Sequence, residues 1–253
     1  MDYDTQLLNL ALDAGEIMLK SGAETYRVQD TMLRMLSVTG REKIEALALS
    51  TMLIVTLPRE SKGPLSMARA VKDRSVNFEK ICAVNAMSRS CVAGEITLAE
   101  VTERLEEIHQ ASSFSAKARI IAYGVTACGF SLIYSGTLLD GIAAFFIGML
   151  LGMMVLAVSK TKAPYFFTSF IGGLLSGTFA CLFHKILPQS QMGMIIIGSI
   201  MPLLPGLTMT KAIRDLLEGN FISGNSKLVE AFLVACAIAG GVALALSLLL
   251  SIL

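Results

Sequence analysis

Residues Ile195–Asn220, IIIGSIMPLLPGLTMTKAIRDLLEGN, decide how this chain folds. The segment begins as an apolar run suited to a lipid bilayer, and Pro202, Pro205 and Gly206 then interrupt it. Proline removes a backbone donor and clashes with the preceding turn, so a helix breaks there. At membrane depth, such a break is tolerated only where protein or a water-filled cavity covers the freed backbone groups. Because transporters bind solutes at broken helices, the segment indicates a transport protein.

Charged residues are divided unevenly along the chain. Residues 1–117 hold 14 of the 21 Lys and Arg and 16 of the 20 Asp and Glu, whereas residues 118–253 are mainly apolar. This division predicts a cytoplasmic α+β domain over 1–117 and a membrane domain over 118–253. The polar start, MDYDTQ, predicts no secretory signal. A net charge of +1 argues against a nucleic-acid partner, and five scattered cysteines without a CxxC pair indicate free thiols.

Five apolar stretches follow the charged part. Each is close to the roughly 20 residues that cross a hydrocarbon core of about 30 Å. They lie at about 119–137, 139–158, 165–184, 191–209 and 229–252. The sequence therefore predicts an α-helical membrane protein in which a small α+β domain precedes five transmembrane helices. The fourth helix is broken by proline and glycine, and it either crosses fully or is re-entrant.

The charges between the apolar stretches predict the orientation. With the N-terminus in the cytoplasm, seven basic residues lie at cytoplasmic ends, and only Lys185 lies outside. The seven are Lys117, Arg119, Lys160, Lys162, Lys211, Arg214 and Lys227. The asymmetry predicts a multi-pass inner-membrane protein whose C-terminus is outside. Small residues within the stretches favour close helix packing over direct contact with a solute: Gly148 and Gly152, Gly173 and Gly177, and Gly240 and Gly241.

The N-terminal part contains signals for both helices and strands. Apolar spacing predicts a helix from about Leu7 that ends near Gly22, and Ser21 with Glu24 suggests a capping box for a second helix. Residues 44–57 predict one or two strands around Ser50, and 65–71 a further strand. Two more helices are expected over 77–93 and 97–110, the latter with a Thr97–Glu100 capping box.

Catalytic motifs are not found in the sequence. There is no GxSxG, HExxH or phosphate-binding glycine loop. The two histidines, His109 and His184, lie on opposite sides of the membrane in the predicted topology. We therefore expect neither an enzyme nor a cofactor or metal site.

Four stretches resemble the threonine/serine exporter family in the same order. They are SGAETYRVQDTMLRMLSVTG (21–40), NFEKICAVNAMSRSCVAGEITLAEVTERLEEI (77–108), YSGTLLDGIAAFFIG (134–148) and MPLLPGLTMTKAIRDLLEGNFISGNSKLVEAF (201–232). The resemblance extends over nearly the whole chain. It implies an inner-membrane exporter of small carboxylate solutes, either threonine and serine or, in a bacterial two-subunit version, succinate. Long family members carry ten spans. Short members carry the soluble domain plus five spans and work with a small separate membrane protein.

This chain resembles the short form, which implies that small membrane protein as a partner. A homo-oligomer of the two-subunit unit is left open. The break predicts a substrate-binding set, because unpaired N–H groups and a positive half-helix end suit a carboxylate. The set is Pro205, Gly206, Thr208, Thr210, Arg214 and Asp215. The alternatives are a kink closed by a neighbouring helix, and an Arg214 that pairs with Asp215 or with lipid headgroups.

Four further residues have alternative interpretations. Asp140 is either a protonatable group that couples export to proton entry or a turn residue that caps a helix. Glu24, Thr25 and Arg27 lie in the cytoplasmic motif, where they bind solute on its way to the pore, dock the domain on the membrane or cap a helix.

The function predicted first is a subunit of a secondary transporter that exports threonine/serine-type amino acids or dicarboxylates. No ATP-binding motif is present, so an ion gradient is the expected energy source. Five spans fit half of a larger unit better than a self-contained inverted repeat. The alternatives are a membrane-anchored sensor or scaffold without transport and, with less support, a membrane-anchored hydrolase.

Overall fold

The computed structural model describes residues 2–59, 63–72, 75–111, 114–159, 161 and 164–250. The chain is organised as two compact units. We call the described residues of Met1–Ser113 and Thr210–Leu228 the sheet unit. Those of Phe114–Met209 and Val229–Leu253 form the helix unit. Lys160 and Lys162, which contributed to the predicted orientation, lie outside the described residues.

Four helices of the sheet unit precede the first apolar stretch: α1 (Tyr3–Lys20), α2 (Thr25–Leu36), α3 (Phe78–Val92) and α4 (Leu98–Gln110). A 3₁₀ turn, Ser37–Thr39, follows α2. The predicted capping box at Ser21 is wrong, because Ser21 ends α1 and its N–H donates to the Ile17 carbonyl. Glu24 is the N-cap of α2 and makes no side-chain cap bond. The Thr97–Glu100 box at the start of α4 is confirmed.

The sheet has three antiparallel strands in the order β1 (Glu45–Ala48), β2 (Met52–Leu57) and β3 (Leu65–Ala70), which confirms the predicted strands. Alternation along β2 buries three side chains: Leu53, Val55 and Leu57. A Cβ added to Gly15 of α1 would lie 2.7 Å from Met32 Sδ and 3.0 Å from Leu53 Cδ1. Since a side chain at 15 would force Met32 or Leu53 to move, α1 packs closely between α2 and the sheet.

The remaining helices are α5 (Ala116–Ile133), α6 (Leu138–Ser159), α7 (Tyr165–Ile186), α8 (Met192–Ile200), α9 (Gly206–Leu217) and α10 (Phe221–Leu250). A 3₁₀ turn, Met201–Leu203, follows α8. Among the described residues, α5, α6, α7 and α10 are each long and apolar enough to cross a membrane. The stretch Met192–Leu203, which is α8 with its 3₁₀ turn, meets that criterion only together with α9, and the two helices are bent by 56° at the break between them. The described residues thus contain four candidate spans, or five if the bent pair is one span.

The predicted break between α8 and α9 is confirmed. Pro202 lies in the 3₁₀ turn, and Leu204 is extended, as expected for a residue that precedes a proline. The Pro205 carbonyl accepts the Met209 N–H at 2.9 Å, so the helix restarts there. The last helix begins at Phe221, earlier than the apolar pattern predicted, because no proline separates its polar first turns from the apolar run.

Glycines of the helix unit allow close helix contacts, as predicted. A Cβ on Gly173 would overlap the Ile238 carbonyl oxygen, and one on Gly241 would overlap the Phe170 carbonyl oxygen. A Cβ on Gly148 would lie 2.7 Å from the Ala127 Cβ. The α7–α10 and α5–α6 pairs therefore pack backbone to backbone, where no methyl group fits.

Gly241→Ala is expected to weaken α7–α10 packing by about 1–3 kcal/mol, because the added methyl has no room. Gly240→Ala is the matched control, since its Cβ would lie at an ordinary 3.7 Å from Phe170 Cε2. Thermal unfolding of the detergent-solubilised chain measures the difference. Equal melting temperatures for the two variants would contradict this packing.

Candidate functional site

Five predicted site residues meet in one polar cluster of the sheet unit. Glu24, Thr25 and Arg27 lie at the start of α2, and Arg214 and Asp215 lie on α9. The residues at the start of α2 and the Arg-Asp pair, which are 190 positions apart in sequence, are thus in direct contact. We call these five residues, together with Lys211 and Lys227, the polar cluster.

Asp215 is the buried centre of the polar cluster and has no exposed surface. The Thr25 hydroxyl donates to Asp215 Oδ1 at 2.9 Å, and the Lys227 ammonium donates to Oδ2 at 2.6 Å. The Lys227 side chain is 7% exposed. Two buried opposite charges therefore neutralise one another, and a buried hydroxyl satisfies the second carboxylate oxygen.

A tight turn between α9 and α10 places Lys227 beside Asp215. Gly219 has a φ of 82°, and the Asn220 N–H donates to the Asp215 carbonyl at 2.8 Å, which ends α9. A Cβ on Gly224 would lie 2.7 Å from Leu216 Cγ, so α10 packs directly on α9. Lys227 follows one helical turn after Gly224.

Arg214 pairs with Glu24 rather than with Asp215. Its Nη1 donates to Glu24 Oε1 at 3.1 Å, and its guanidinium carbon lies 5.6 Å from the centre of the Tyr26 ring. Arg27 Nε lies 3.4 Å from Glu24 Oε2. Burial raises the pKa of the Glu24 carboxyl. A hydrogen bond from its own backbone and the charges of Arg27 and Arg214 outweigh burial, so that pKa lies below its usual value.

The other predicted substrate-binding residues lie on or next to the first turn of α9, outside the polar cluster. Pro205, Gly206 and Thr208 belong to the helix unit, whereas Thr210 falls in the sheet unit. Thr208 is half-buried and Thr210 is exposed. Their contact with a solute stays a prediction.

Asp140 lies in the helix unit and is fully buried. Its Oδ2 accepts the Thr137 N–H and hydroxyl, both at 2.7 Å, and the Asp140 N–H donates back to the Thr137 hydroxyl. Its Oδ1 accepts the Gln191 N–H at 2.8 Å, at the start of α8. The carboxylate thus caps α6 and holds α8. These contacts support the capping alternative, and proton coupling by Asp140 stays a prediction.

Sequence reasoning assigned Lys211 and Lys227 only to membrane anchoring and did not predict that they belong to the polar cluster. The position of Lys227, just before a long apolar run, could have indicated that it needs a carboxylate partner, because an ionised group among apolar residues is costly unless it is paired. Asp215 lies twelve residues earlier in the sequence.

Among the described residues, no group of three His, Cys, Asp or Glu side chains is arranged to hold a metal ion.

Comparison with known proteins gives one family match. Residues 9–249 match the profile of the family described as "Putative threonine/serine exporter". No solved structure gives a significant match.

Three curated proteins are similar to the chain. The "Threonine/serine exporter" of Corynebacterium glutamicum is 25% identical over 96% of this chain and 51% of its own length. The "Probable threonine/serine exporter" of Mycobacterium tuberculosis is 20% identical over 96% of this chain and 46% of its own length. The chain therefore spans about half the length of these two exporters. The "Probable succinate transporter subunit YjjP" of Klebsiella aerogenes is 20% identical over 94% of this chain and 92% of its own length.

A double-mutant cycle on Asp215→Asn and Lys227→Met tests the buried pair. Each single change leaves a buried charge or dipole without its partner and is expected to lower the free energy of unfolding by about 3–5 kcal/mol. The double variant is expected to lose less than the sum of the two single losses. The control cycle uses Glu24→Gln and Arg214→Gln, whose coupling should stay below about 1 kcal/mol because Arg214 is half-exposed. Equal coupling energies in the two unfolding experiments would refute the assignment of Asp215 as the buried centre.

The Glu24 pKa also predicts a pH dependence. Because the folded-state value lies below the usual 4.5, ionised Glu24 stabilises the protein above that pH, and the contribution disappears as the pH falls through the folded pKa. Glu24→Gln should therefore lose less stability than the unmodified chain between about pH 5 and pH 3. Thermal unfolding across that range measures the difference, and parallel curves would count against the predicted shift.

Proposed function

Because this chain belongs to the threonine/serine exporter family, we propose that it is a subunit of a secondary transporter that exports small carboxylate solutes. The observation that carries the proposal is a family match that runs from residue 9 to residue 249. The described helices agree with a multi-pass membrane protein. The proposed place is the inner membrane, with the N-terminus in the cytoplasm, as the basic residues indicate.

A partner subunit is part of the proposal. The chain spans about half the length of two exporters, yet it covers 92% of a protein that is itself named a subunit. A small membrane protein that supplies the remaining spans accounts for both observations. Together the two proteins form the transport path.

The polar cluster is proposed as the place where solute loads. It joins the start of α2 to α9, whose first residue is the glycine of the Pro-Gly break. Arg214 is half-exposed, so a carboxylate can reach it, and Glu24 holds it in place when no solute is bound. Thr208 and Thr210, near the start of α9, are further proposed contacts of the solute. Both an amino acid and a dicarboxylate fit this chemistry, and an ion gradient drives export.

Flux into liposomes that contain the chain with its partner tests the proposal. Labelled threonine, serine and succinate are supplied separately and then in competition. At least one solute is expected to move only when both proteins are present. Flux in liposomes that contain this chain alone would show that no partner is required. Solute binding without flux in any combination would favour a sensor.

Arg214→Gln tests the loading site in the same assay. Because a hydrogen bond to a charged group is lost, the KM is expected to rise about tenfold or more. Arg34→Gln is the matched control, since Arg34 lies on α2 and pairs with the exposed Asp30. A KM for Arg214→Gln equal to that of the control would place loading elsewhere.

A further inference from the structure

Helix α9 is inverted relative to an ordinary helix on the surface of a water-soluble domain. Its buried residues are Ala212 and the charged Asp215, whereas Ile213 and Leu217 are 50% and 82% exposed. Ile213 and Leu217 are four positions apart, so they lie on the same face of the helix. A surface helix in water buries its apolar face and exposes its polar one. The exposed face of α9 therefore suits surroundings that are less polar than water.

The first turn of α10 exposes two more large apolar side chains, those of Phe221 and Ile222. The turn at Gly219 joins α9 to α10, and α10 packs directly on α9 at Gly224. The exposed apolar residues of both helices therefore lie in the part of the sheet unit where α9 and α10 meet. Grouped in this way, they mark a contact with a membrane or with another protein. We call Ile213, Leu217, Phe221 and Ile222 the apolar patch.

The length of α10 favours a membrane as the occupant of the apolar patch. The 30 residues of this helix extend over about 45 Å. A bilayer is about 30 Å thick across its hydrocarbon core and about 40–45 Å thick with both headgroup layers. The candidate span begins at Phe221 itself, so the first turn of α10 lies in a headgroup layer when the apolar run fills the core. The apolar patch is then level with the membrane surface.

Charged residues exclude the second half of α9 from the centre of a bilayer. Lys211, Arg214 and Asp215 lie within five consecutive positions, and an ionised side chain is costly at that depth. At the membrane surface they are tolerated, because water and headgroups solvate the half-exposed Arg214 and Lys227 neutralises Asp215 inside the sheet unit. The apolar side chains of an interfacial helix reach about 5–10 Å into the boundary between headgroups and acyl chains.

We propose that the apolar patch inserts into the lipid bilayer, so that α9 from Thr210 onward lies in the interfacial layer and not in the hydrocarbon core. Lipid at the boundary between headgroups and acyl chains is the occupant of the patch. This placement explains the inversion of α9, since Asp215 faces protein while Ile213 and Leu217 face lipid. It requires a membrane protein but no transport, and it holds the polar cluster at the membrane surface.

Tryptophan fluorescence tests the proposal, because the chain contains no tryptophan and each variant then carries a single reporter. Leu217→Trp places the reporter on α9, and Phe221→Trp is a conservative second reporter on α10. The purified full chain is reconstituted into phosphatidylcholine vesicles that carry bromine either near the headgroup or near the end of the acyl chain. Both reporters are expected to emit at shorter wavelengths than tryptophan in water and to lose more fluorescence to the shallow bromines than to the deep ones.

Two control variants bracket the expected depth. Val92→Trp, at a position that is 41% exposed, is expected to keep its fluorescence with both lipids. Val92 lies about 20 Å along α3 from Phe78, whose ring is near the Lys211 ammonium of α9. Leu233→Trp lies in the apolar run of α10 and is expected to lose more fluorescence to the deep bromines.

Three results would overturn the proposal. Leu217→Trp and Phe221→Trp would then behave like Val92→Trp, or the deep bromines would quench both of them more strongly than the shallow ones. The third result comes from vesicles that also contain the proposed partner subunit: if the partner abolishes the quenching of both reporters, a protein covers the patch and not lipid. Because no solute is added, each result is independent of whether the complex transports.

Discussion

The buried Asp215 carboxylate is the constraint on which the rest of the site depends. A carboxylate without solvent contact must be compensated, and here the compensation comes from Lys227 and Thr25. These partners belong to two other helices, so one charge links α2, the second half of α9 and the start of α10 inside the sheet unit. The positions of Glu24, Lys211 and Arg214 follow, because they lie on the same helices.

The polar cluster combines two kinds of interaction. The Asp215–Lys227 pair is buried, and losing either partner is costly, so it serves to fix the helices. The Glu24–Arg214 pair is partly exposed and contributes little to stability, so in the proposed loading step a solute replaces one partner at small cost. A rigid centre beside an exchangeable pair suits a site that must hold its shape while it exchanges an anion.

Local structure was largely predictable from the sequence, because it depends on neighbours along the chain. The strands around Ser50 follow from the run of residues that favour β-structure, and the Thr97 capping box follows from its spacing to Glu100. The break at Pro205 follows from the missing backbone donor of proline. The capping box at Ser21 failed because Ser21 ends the preceding helix, and the same spacing fits either role. The three donors to the Asp140 carboxylate could be predicted only in part: Thr137 is local, whereas Gln191 lies 51 residues away.

The sequence by itself determined the family, the apolar stretches and the broken helix, since each depends on residue type and spacing. It also located the two motifs, at 21–40 and 201–232, without showing that they form one site. Only the tertiary structure decided that Arg214 pairs with Glu24 and that Asp215 pairs with Lys227. The physical reason is that an ion pair is satisfied by any counter-charge within reach. Which one is within reach depends on how the turn at Gly219 and the contact at Gly224 bring α10 onto α9.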